Sequence, residues 1–397
     1  MIKITRRHLM QSTVAGAAAV MMPSVLRAQP KGVDGNSVRL GILHSLTGTF
    51  AIAEASMVDA EKLAIDEINA AGGVMGHKIV PYIEDGASEA PVFAEKAKVL
   101  LRRDNVAAII GCYSSALRKA VLPAVNQAKG LLYYPTYYEG QEIDKRCLYT
   151  SQEVTQSVIA AVTWMAKEKG KKFFLIGSNY IYPVTCNKIA KPTIAKLGGT
   201  VVGEEYVPLG HTEFSSIINK IKAANPDCIY STVVGGSNVA FFKQLRAAGL
   251  DGSKITLLST VVSENEIEGI GRDNAVGYYA CMGYFQAIDS PINKMFVKAI
   301  KDKYGANRVV GDPMQCGYNS VYLWKNAVEK AKSFAPDDVL KASAGLEIEA
   351  PEGTVRFDKE NHHVWKKVRV GRALEDGQFE IVHETADLVQ PDPFPKL

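Results

Sequence analysis

The stretch "VRLGILHSLTGTFAIAEASMVDAEKLAIDEINAAGGVMGHKIVPYIED" (residues 38–85) decides the fold of this chain. It opens with "VRLGILHSL" and closes with "HKIVPYIED", two short and mostly apolar runs that are typical of strands covered on both faces. Between them, apolar residues such as Leu63, Ile65 and Ile68 recur at helical spacing. A strand, a helix and a second strand in this order predict a parallel α/β unit.

The same alternation runs through most of the chain. It continues in the apolar strand "VAAIIGC" (106–112) and restarts after Thr150. There the apolar runs "KKFFLIGS" (171–178) and "DCIYSTVVGG" (227–236) alternate with helical stretches. The two series predict an α/β fold made of two doubly wound parallel-sheet lobes.

The last third of the chain is too short for a third lobe and is expected to return and complete the first two. We expect residues 37–152 and about 285–345 to form the first lobe, and residues 153–284 and about 346–397 to form the second. A chain that crosses between its lobes more than once makes a multi-crossover hinge. Two lobes joined in this way can close on a ligand from both sides.

The first 28 residues predict an export signal. The basic motif "TRRHLM" (5–10) precedes an apolar stretch, Val14–Met22, that is too short to span a bilayer. This pattern indicates a signal of the twin-arginine type with cleavage near Ala28, and a Sec signal is the alternative. Either route predicts a periplasmic protein.

The charge of the chain excludes one class of partner. Its 46 basic and 42 acidic residues differ by four, and the first 28 residues hold four basic side chains and no acidic one. The remainder is therefore neutral, which gives no electrostatic reason to expect nucleic acid or an anionic membrane as a partner.

Motifs of catalysis and metal binding are missing from the sequence. There is no G-x-S-x-G elbow and no G-x-x-x-x-G-K-[ST] loop, and the paired His362 and His363 have no other ligand residue at metal spacing. The six cysteines show no C-x-x-C spacing, so we expect mostly buried thiols with room for one disulfide. Cys112 fits a small buried residue at a strand end better than a nucleophile. The sequence predicts a protein that is not an enzyme and holds neither metal nor cofactor.

A cluster of tyrosines indicates where a ligand binds. The segment "LLYYPTYYEGQE" (131–142) holds four tyrosines at the end of an apolar strand, and "IIGCYSSALRKA" (109–120), "IGSNYIYPVT" (176–185) and "YSTVVGGSN" (230–238) occupy similar positions. Ligands of open parallel sheets bind beyond the carboxyl ends of the strands. Tyrosine combines an apolar ring with a hydrogen-bonding hydroxyl, as a small polar ligand requires.

These segments resemble the periplasmic binding proteins that serve ATP-driven importers, in their leucine-binding-like (type I) branch, over about residues 38–393. Three segments resemble the short-chain amide-binding proteins of that branch: "GCYSSALRKAVLP", "LLYYPTYYEG" and "IGSNYIYP". Three others are similar to the urea-binding proteins of urea importers: "GEEYVPLGHTEF", "NVAFFKQLRAAG" and "APEGTVRFDKENHHVWKKVRVGR". The resemblance implies the type I two-lobed fold and an ABC permease of the inner membrane as partner.

Transferred position by position, the amide-binding pattern implies a site of eight residues: Tyr113, Ser115, Tyr134, Thr136, Tyr180, Tyr182, Val234 and Val261. In this assignment Ser115 and helix N–H groups bind the ligand carbonyl, whereas Thr136 and the backbone near Val234 accept the amide N–H groups. The tyrosines form the walls. Such a site suits a planar, neutral ligand that carries both donors and an acceptor.

Three positions depart from the patterns of the resembled proteins. Amide-binding relatives have Thr where this chain has Val261, and urea-binding relatives have Trp where it has Tyr113. Amino-acid-binding relatives have a Glu where this chain has Ala240, which argues against an amino-acid ligand because a buried ammonium needs a partner.

The resemblance therefore implies an extracytoplasmic receptor that captures urea or a short-chain amide. Two alternatives remain open at this point: an amide-sensing regulatory protein of the same fold, and a branched-chain amino-acid receptor. A hydrolase of amides or urea has no catalytic constellation in the sequence to support it.

Overall fold

Five parallel strands form the sheet of the first lobe in the computed structural model, which describes residues 31–396. The export signal expected at residues 1–28 lies outside the described residues. In spatial order the strands are β3 (Lys78–Asp85), β2 (Ser37–His44), β4 (Ile109–Gly111), β5 (Leu132–Tyr134) and β6 (Cys147–Tyr149). A short strand, β1 (Val33–Asp34), pairs with β2 in antiparallel orientation. Every residue of β4, β5 and β6 is buried, as expected for strands covered on both faces.

The second lobe has a larger sheet of mixed orientation. Five of its strands are parallel, in the order β8 (Thr200–Val207), β7 (Lys172–Ser178), β9 (Cys228–Thr232), β10 (Thr256–Ser259) and β11 (Tyr279–Met282). Two antiparallel strands, β15 (Arg369–Ala373) and β16 (Phe379–Glu384), extend the sheet beyond β11. The fold class predicted from the sequence, α/β with two doubly wound sheets, is confirmed.

Helices connect the parallel strands. Those before β6 are α1 (Ala51–Ala70), α2 (Ala90–Lys98) and α3 (Ser115–Gln127), and the second lobe contains α4 (Ala160–Glu168), α5 (Ile181–Lys196), α6 (Ser215–Ala224), α7 (Ser237–Ala247), α8 (Glu264–Ile270) and α9 (Arg272–Ala275). The chain then forms α10 (Pro291–Tyr304), α11 (Asp312–Ala331) and α12 (Pro336–Ser343). Residues Val99–Arg103 and Thr155–Ile159 form π-helical turns.

One segment lies in a different lobe from the one expected. Residues 346–365 were assigned to the second lobe from the sequence, but they form a small antiparallel sheet of β12 (Glu347–Ala350), β13 (Gly353–Phe357) and β14 (Val364–Trp365) beside the first. Val355, Phe357 and Val364 are buried in one core with residues of β2 and α11. The apolar faces of these short strands are thus covered by the first lobe, and the chain reaches the second lobe only at β15.

The chain passes between the lobes after β6, after β11 and after β14, and the side chain of Asp312 joins two of these crossings. Asp312 is buried at the start of α11. Its carboxylate accepts hydrogen bonds from the backbone N–H groups of Gly283 (3.1 Å) and Tyr284 (2.9 Å) and from Nε2 of Gln152 (3.2 Å). These partners lie directly after β11 and β6, so one carboxylate fixes the geometry of two crossings.

The third crossing contributes a buried cation to the same cluster. Lys366 is fully buried, and its ammonium lies 3.0 Å from the carboxylate of Glu352. The ammonium packs on Gly283, where an added Cβ would lie 2.8 Å from Nζ of Lys366. A side chain at position 283 would therefore displace the end of Lys366 from its present place.

Two further features of the described residues are the state of the cysteines and the character of the helices. All six cysteines lie in this part of the chain, and each is a buried thiol without a disulfide. Among residues 31–396, no helix combines the length and apolar character that crossing a membrane requires.

We expect Lys366→Met to destabilise the protein by about 3–5 kcal/mol, because it leaves the carboxylates of Glu352 and Asp312 buried without a cation. Lys367→Met is the matched control, since Lys367 is partly exposed and pairs with the partly exposed Glu384. That variant should change stability by about 1 kcal/mol or less. Thermal unfolding followed by circular dichroism measures both, and equal midpoints for the two variants would contradict the role given to Lys366.

Candidate functional site

Backbone geometry at the end of β4 projects Tyr113 towards the second lobe. Cys112 adopts a left-handed conformation with φ of 70°, which is uncommon for a residue other than glycine and is concentrated at functional sites. Ser114 then caps α3, with its Oγ accepting a hydrogen bond from the N–H of Leu117 at 3.3 Å. Tyr113 is held between these two constraints.

A series of aromatic rings connects the two lobes at the strand ends. The ring of Phe50 lies 5.6 Å from that of Tyr113, which lies 6.0 Å from that of Tyr137. Tyr137 in turn lies 5.8 Å from Tyr182 of the second lobe, and Tyr182 lies 6.3 Å from Tyr180. The hydroxyls of Tyr113 and Tyr137 are hydrogen-bonded at 2.7 Å. The series thus contains three predicted site residues, Tyr113, Tyr180 and Tyr182. Its other two members, Phe50 and Tyr137, were not predicted.

A small cavity lies between the lobes beside this series. Its walls come from segments 49–53 and Tyr113 on the first lobe, and from segments 235–239 and 266–270 on the second. The cavity has a volume of about 30 Å³, and a single water molecule needs roughly 10–15 Å³. Tyr113 is the one of the eight predicted residues that lines this cavity.

Two polar side chains of the second lobe face the cavity without a partner. Asn238, at the start of α7, is 1% exposed, and neither its Oδ1 nor its Nδ2 has a hydrogen-bond partner among the described residues. Oε1 of Glu266 is likewise buried and unpaired there, whereas Oε2 accepts a hydrogen bond from the N–H of Ser263 at 2.8 Å. Buried polar groups are nearly always paired, so unpaired ones at a cavity indicate a ligand or ordered water.

Tyr134 and Ser115 contact a buried arginine of the first lobe and do not line the cavity. Arg118 is fully buried, and its guanidinium lies 4.7 Å from the ring centre of Tyr134 and 4.4 Å from that of Tyr138. The Ser115 hydroxyl donates to the carboxylate of Glu139 and accepts from Arg118 at 3.3 Å.

The tyrosine cluster of residues 133–138 therefore faces two environments. Tyr134 and Tyr138 surround the Arg118 guanidinium, whereas Tyr137 faces the second lobe. The Arg118 charge also lies 2.8 Å from Glu142, and together with the hydrogen bonds of Lys119 and Tyr149 it outweighs burial and lowers the pKa of Glu142 to about 2. Of the four tyrosines expected to form the ligand wall, Tyr134 thus serves to bury a cation.

Thr136, Val234 and Val261 do not line the cavity. The Thr136 hydroxyl donates to the carbonyl of Cys112 at 3.1 Å. The backbone N–H of Val234 donates to Oγ of Ser178 at 3.1 Å, and that of Val261 donates to Oγ of Ser259 at 3.2 Å.

Thr260 supplies a hydroxyl next to the position where the sequence lacks one. Val261 occupies the place of a Thr in amide-binding relatives, but Oγ1 of the preceding Thr260 is buried and lies 3.2 Å from the hydroxyl of Tyr182. Thr260 also lies 3.3 Å from the hydroxyl of Tyr230. It therefore fixes the position of Tyr182 in the cleft.

Phe50, Asn238 and Glu266 were missed in the sequence, although two of them had a partial signal. Asn238 ends the quoted segment "YSTVVGGSN", and Glu266 lies five residues after the predicted site residue Val261. Ser263 and Glu266 form a capping box, S-x-x-E, in which one carboxylate oxygen of Glu266 caps the helix. This structural role gives no indication of what the second oxygen does. The sequence offered no sign that this oxygen lies at a cavity.

A buried ionic triad lies at the end of β2, below the segment that lines the cavity. His44 contacts Oε1 of Glu54 at 3.0 Å through Nδ1 and Oε1 of Glu61 at 2.8 Å through Nε2, and all three side chains are fully buried. Burial alone lowers the pKa of His44, but the two carboxylates outweigh it and raise the pKa to about 10. His44 is therefore an imidazolium at neutral pH and holds the first turns of α1, and with them Phe50, against the sheet. No group of three or more His, Cys, Asp or Glu in the described residues, this triad included, is arranged to hold a metal ion.

Two α/β lobes that enclose a small, mostly apolar cavity at their strand ends are the arrangement of a two-lobed solute-binding protein. The chain belongs to the family described as "Periplasmic binding protein domain", which matches residues 38–397.

Relatives and solved structures agree with this membership. The chain is 25% identical to a Leu/Ile/Val-binding protein homolog 7 of Brucella melitensis over 96% of its own length and 97% of that protein. It is similar, with a TM-score of 0.82 and 25% identity over 90% of this chain and 99% of the other, to an ABC transporter solute-binding protein of Rhodopseudomonas palustris BisB5 in complex with 3,4-dihydroxybenzoic acid. It shares the fold of LivJ of Streptococcus pneumoniae in complex with isoleucine, with a TM-score of 0.78 and 21% identity over 89% and 100% of the two chains.

The protein should lose stability as the pH rises from about 7 to 10. Folded His44, with a pKa of about 10, keeps a proton that the unfolded chain releases near pH 6.5, so this contribution is complete below pH 6.5 and is lost through pH 10. In His44→Gln the decline in melting temperature over this range should be shallower. The exposed His383→Gln is the control and should keep the slope of the original protein. Equal slopes for all three proteins would contradict the charged state of His44.

Proposed function

We propose that this protein is a periplasmic substrate-binding protein of an ABC transporter that captures urea or a short-chain amide and delivers it to a membrane permease. The observation that carries the choice of ligand is the unpaired side chain of Asn238 in the interlobe cavity. Its carboxamide presents one acceptor and two donor hydrogens. A ligand that pairs with both must itself carry an acceptor and N–H donors, as urea and primary amides do.

The size of the cavity supports the same ligand class. At roughly 10–15 Å³ for each water, a volume of about 30 Å³ leaves space for about two water-sized groups. Isoleucine and 3,4-dihydroxybenzoic acid, which occupy the two solved relatives, are much larger than this. Both also carry a carboxylate, which would be placed near the acid Glu266.

The aromatic series completes the proposed site. Phe50 and Tyr113 provide flat, mostly apolar surfaces on the first lobe, opposite Asn238 on the second. In this proposal Tyr113 acts as a wall, as the sequence pattern implied. Tyr180 and Tyr182 pack next to it through Tyr137 and do not line the cavity. Ser115 and Tyr134 act through Arg118, which fixes the loop that carries Tyr137.

The test of this proposal is calorimetric titration of the purified protein with urea, formamide, acetamide, propionamide, leucine and 4-hydroxybenzoate. We expect binding of urea or of one of the short amides, and none of leucine or 4-hydroxybenzoate at the same concentrations. Binding of leucine alone would instead support a branched-chain amino-acid receptor. Ammonia release during the titration would contradict the non-enzymatic role.

Asn238→Leu should weaken binding of urea or amide by about 1–3 kcal/mol, because the ligand groups that pair with the carboxamide would be buried unsatisfied. Leucine has nearly the same shape as asparagine, so the lobes should still close. Asn307→Leu, at an exposed position of the first lobe, is the control and should leave the affinity unchanged. Equal affinity of Asn238→Leu and the original protein would remove Asn238 from the site.

A further inference from the structure

We propose that Glu266 determines the charge of the ligand, because its free carboxylate oxygen accepts N–H groups of the ligand. The site then binds planar N–H donors of zero or positive charge, including guanidinium and amidinium ions. It rejects carboxylates. This inference rests on the proposed function, because it assumes that the ligand binds in the interlobe cavity.

The two oxygens of Glu266 have separate tasks. Oε2 accepts hydrogen bonds from the N–H of Ser263 at 2.8 Å and from its Oγ at 2.5 Å, which closes the capping box at the start of α8. This pairing fixes the carboxylate plane of a residue that lines the cavity, and leaves its Oε1 buried and without a partner among the described residues. The carboxylate is therefore positioned before a ligand arrives.

Asn238 is the independent observation that makes this acid part of a ligand site. It lines the same cavity from α7, and both polar atoms of its nearly fully buried side chain are unpaired. Together the two side chains offer two acceptor atoms and one donor group on the second lobe. The opposite wall consists of the Phe50 and Tyr113 rings, whose faces favour a flat and cationic partner.

A second acid lies close to Glu266. Glu264 is two residues away in the same helical turn, and its Oε1 accepts a hydrogen bond from the N–H of Gln286 at 2.7 Å. Burial, with a smaller effect of the Asp312 carboxylate, raises the pKa of Glu264 to about 8 and also raises the pKa of Glu266. A carboxylate ligand would raise the pKa of Glu266 further, whereas a guanidinium ion would favour the ionised form of Glu266 and offer it up to two N–H groups on one edge.

The experiment compares urea, guanidinium chloride at millimolar concentrations and below, acetamidinium and benzoate by calorimetric titration. The variants are Glu266→Gln, which keeps the S-x-x-Q capping box and removes the charge, and Glu268→Gln, an exposed control on the same helix. Ser263→Ala is the third variant, since it weakens the cap but keeps the carboxylate. Melting temperatures establish that each variant is folded.

We expect the original protein to bind urea, guanidinium and acetamidinium but not benzoate. Glu266→Gln should weaken binding of the two cations by about 10- to 100-fold and that of urea by less, as expected for loss of a charged acceptor. Glu268→Gln should bind all ligands as the original protein does, and Ser263→Ala should retain its preference for the cations over benzoate.

Three results would overturn the inference. If urea or an amide binds but neither cation does, or if Glu266→Gln keeps its affinity for the cations, the role of Glu266 fails while the proposed function stands. If the original protein binds benzoate or leucine and neither urea nor any amide, the proposed function fails as well.

Discussion

The carboxylate of Asp312 is the constraint on which the rest of the structure depends. It joins Gln152, Gly283 and Tyr284, and with them the first two connections between the lobes, while Lys366 of the third connection lies against Gly283. The relative position of the lobes is set where these groups meet. The cavity lies where segments 49–53 and 235–239 approach each other, so the cluster at the hinge sets the distance between the two walls of the cavity.

The α/β architecture could be predicted from the sequence because buried parallel strands read as continuous apolar runs, and the helices between them have a different period. Residues 346–365 could not be placed in the same way. Their strands are two to five residues long and antiparallel. In such strands the sequence shows which residues are buried, but not which lobe they pack against. That depends on distant partners, here the core of β2 and α11 with Phe357 and Val364.

The candidate site was predictable as a region more than as a set of side chains. The ends of four strands indicated the cleft. The direction in which each tyrosine ring points depends, however, on the position of Arg118 in α3. Tyr134 therefore turned out to pack on a cation, and Tyr137 took the place in the cleft. Glu266 was missed for another reason. The capping box gives one of its carboxylate oxygens a structural role, and the sequence shows no role for the other oxygen.

The six buried thiols have a consequence for how the chain matures. Since each cysteine is packed in the interior without a disulfide, the native state contains no covalent bond whose formation depends on the redox potential of a compartment. The described structure therefore requires no disulfide oxidant and no disulfide isomerase to form, and packing, hydrogen bonds and ion pairs hold it together.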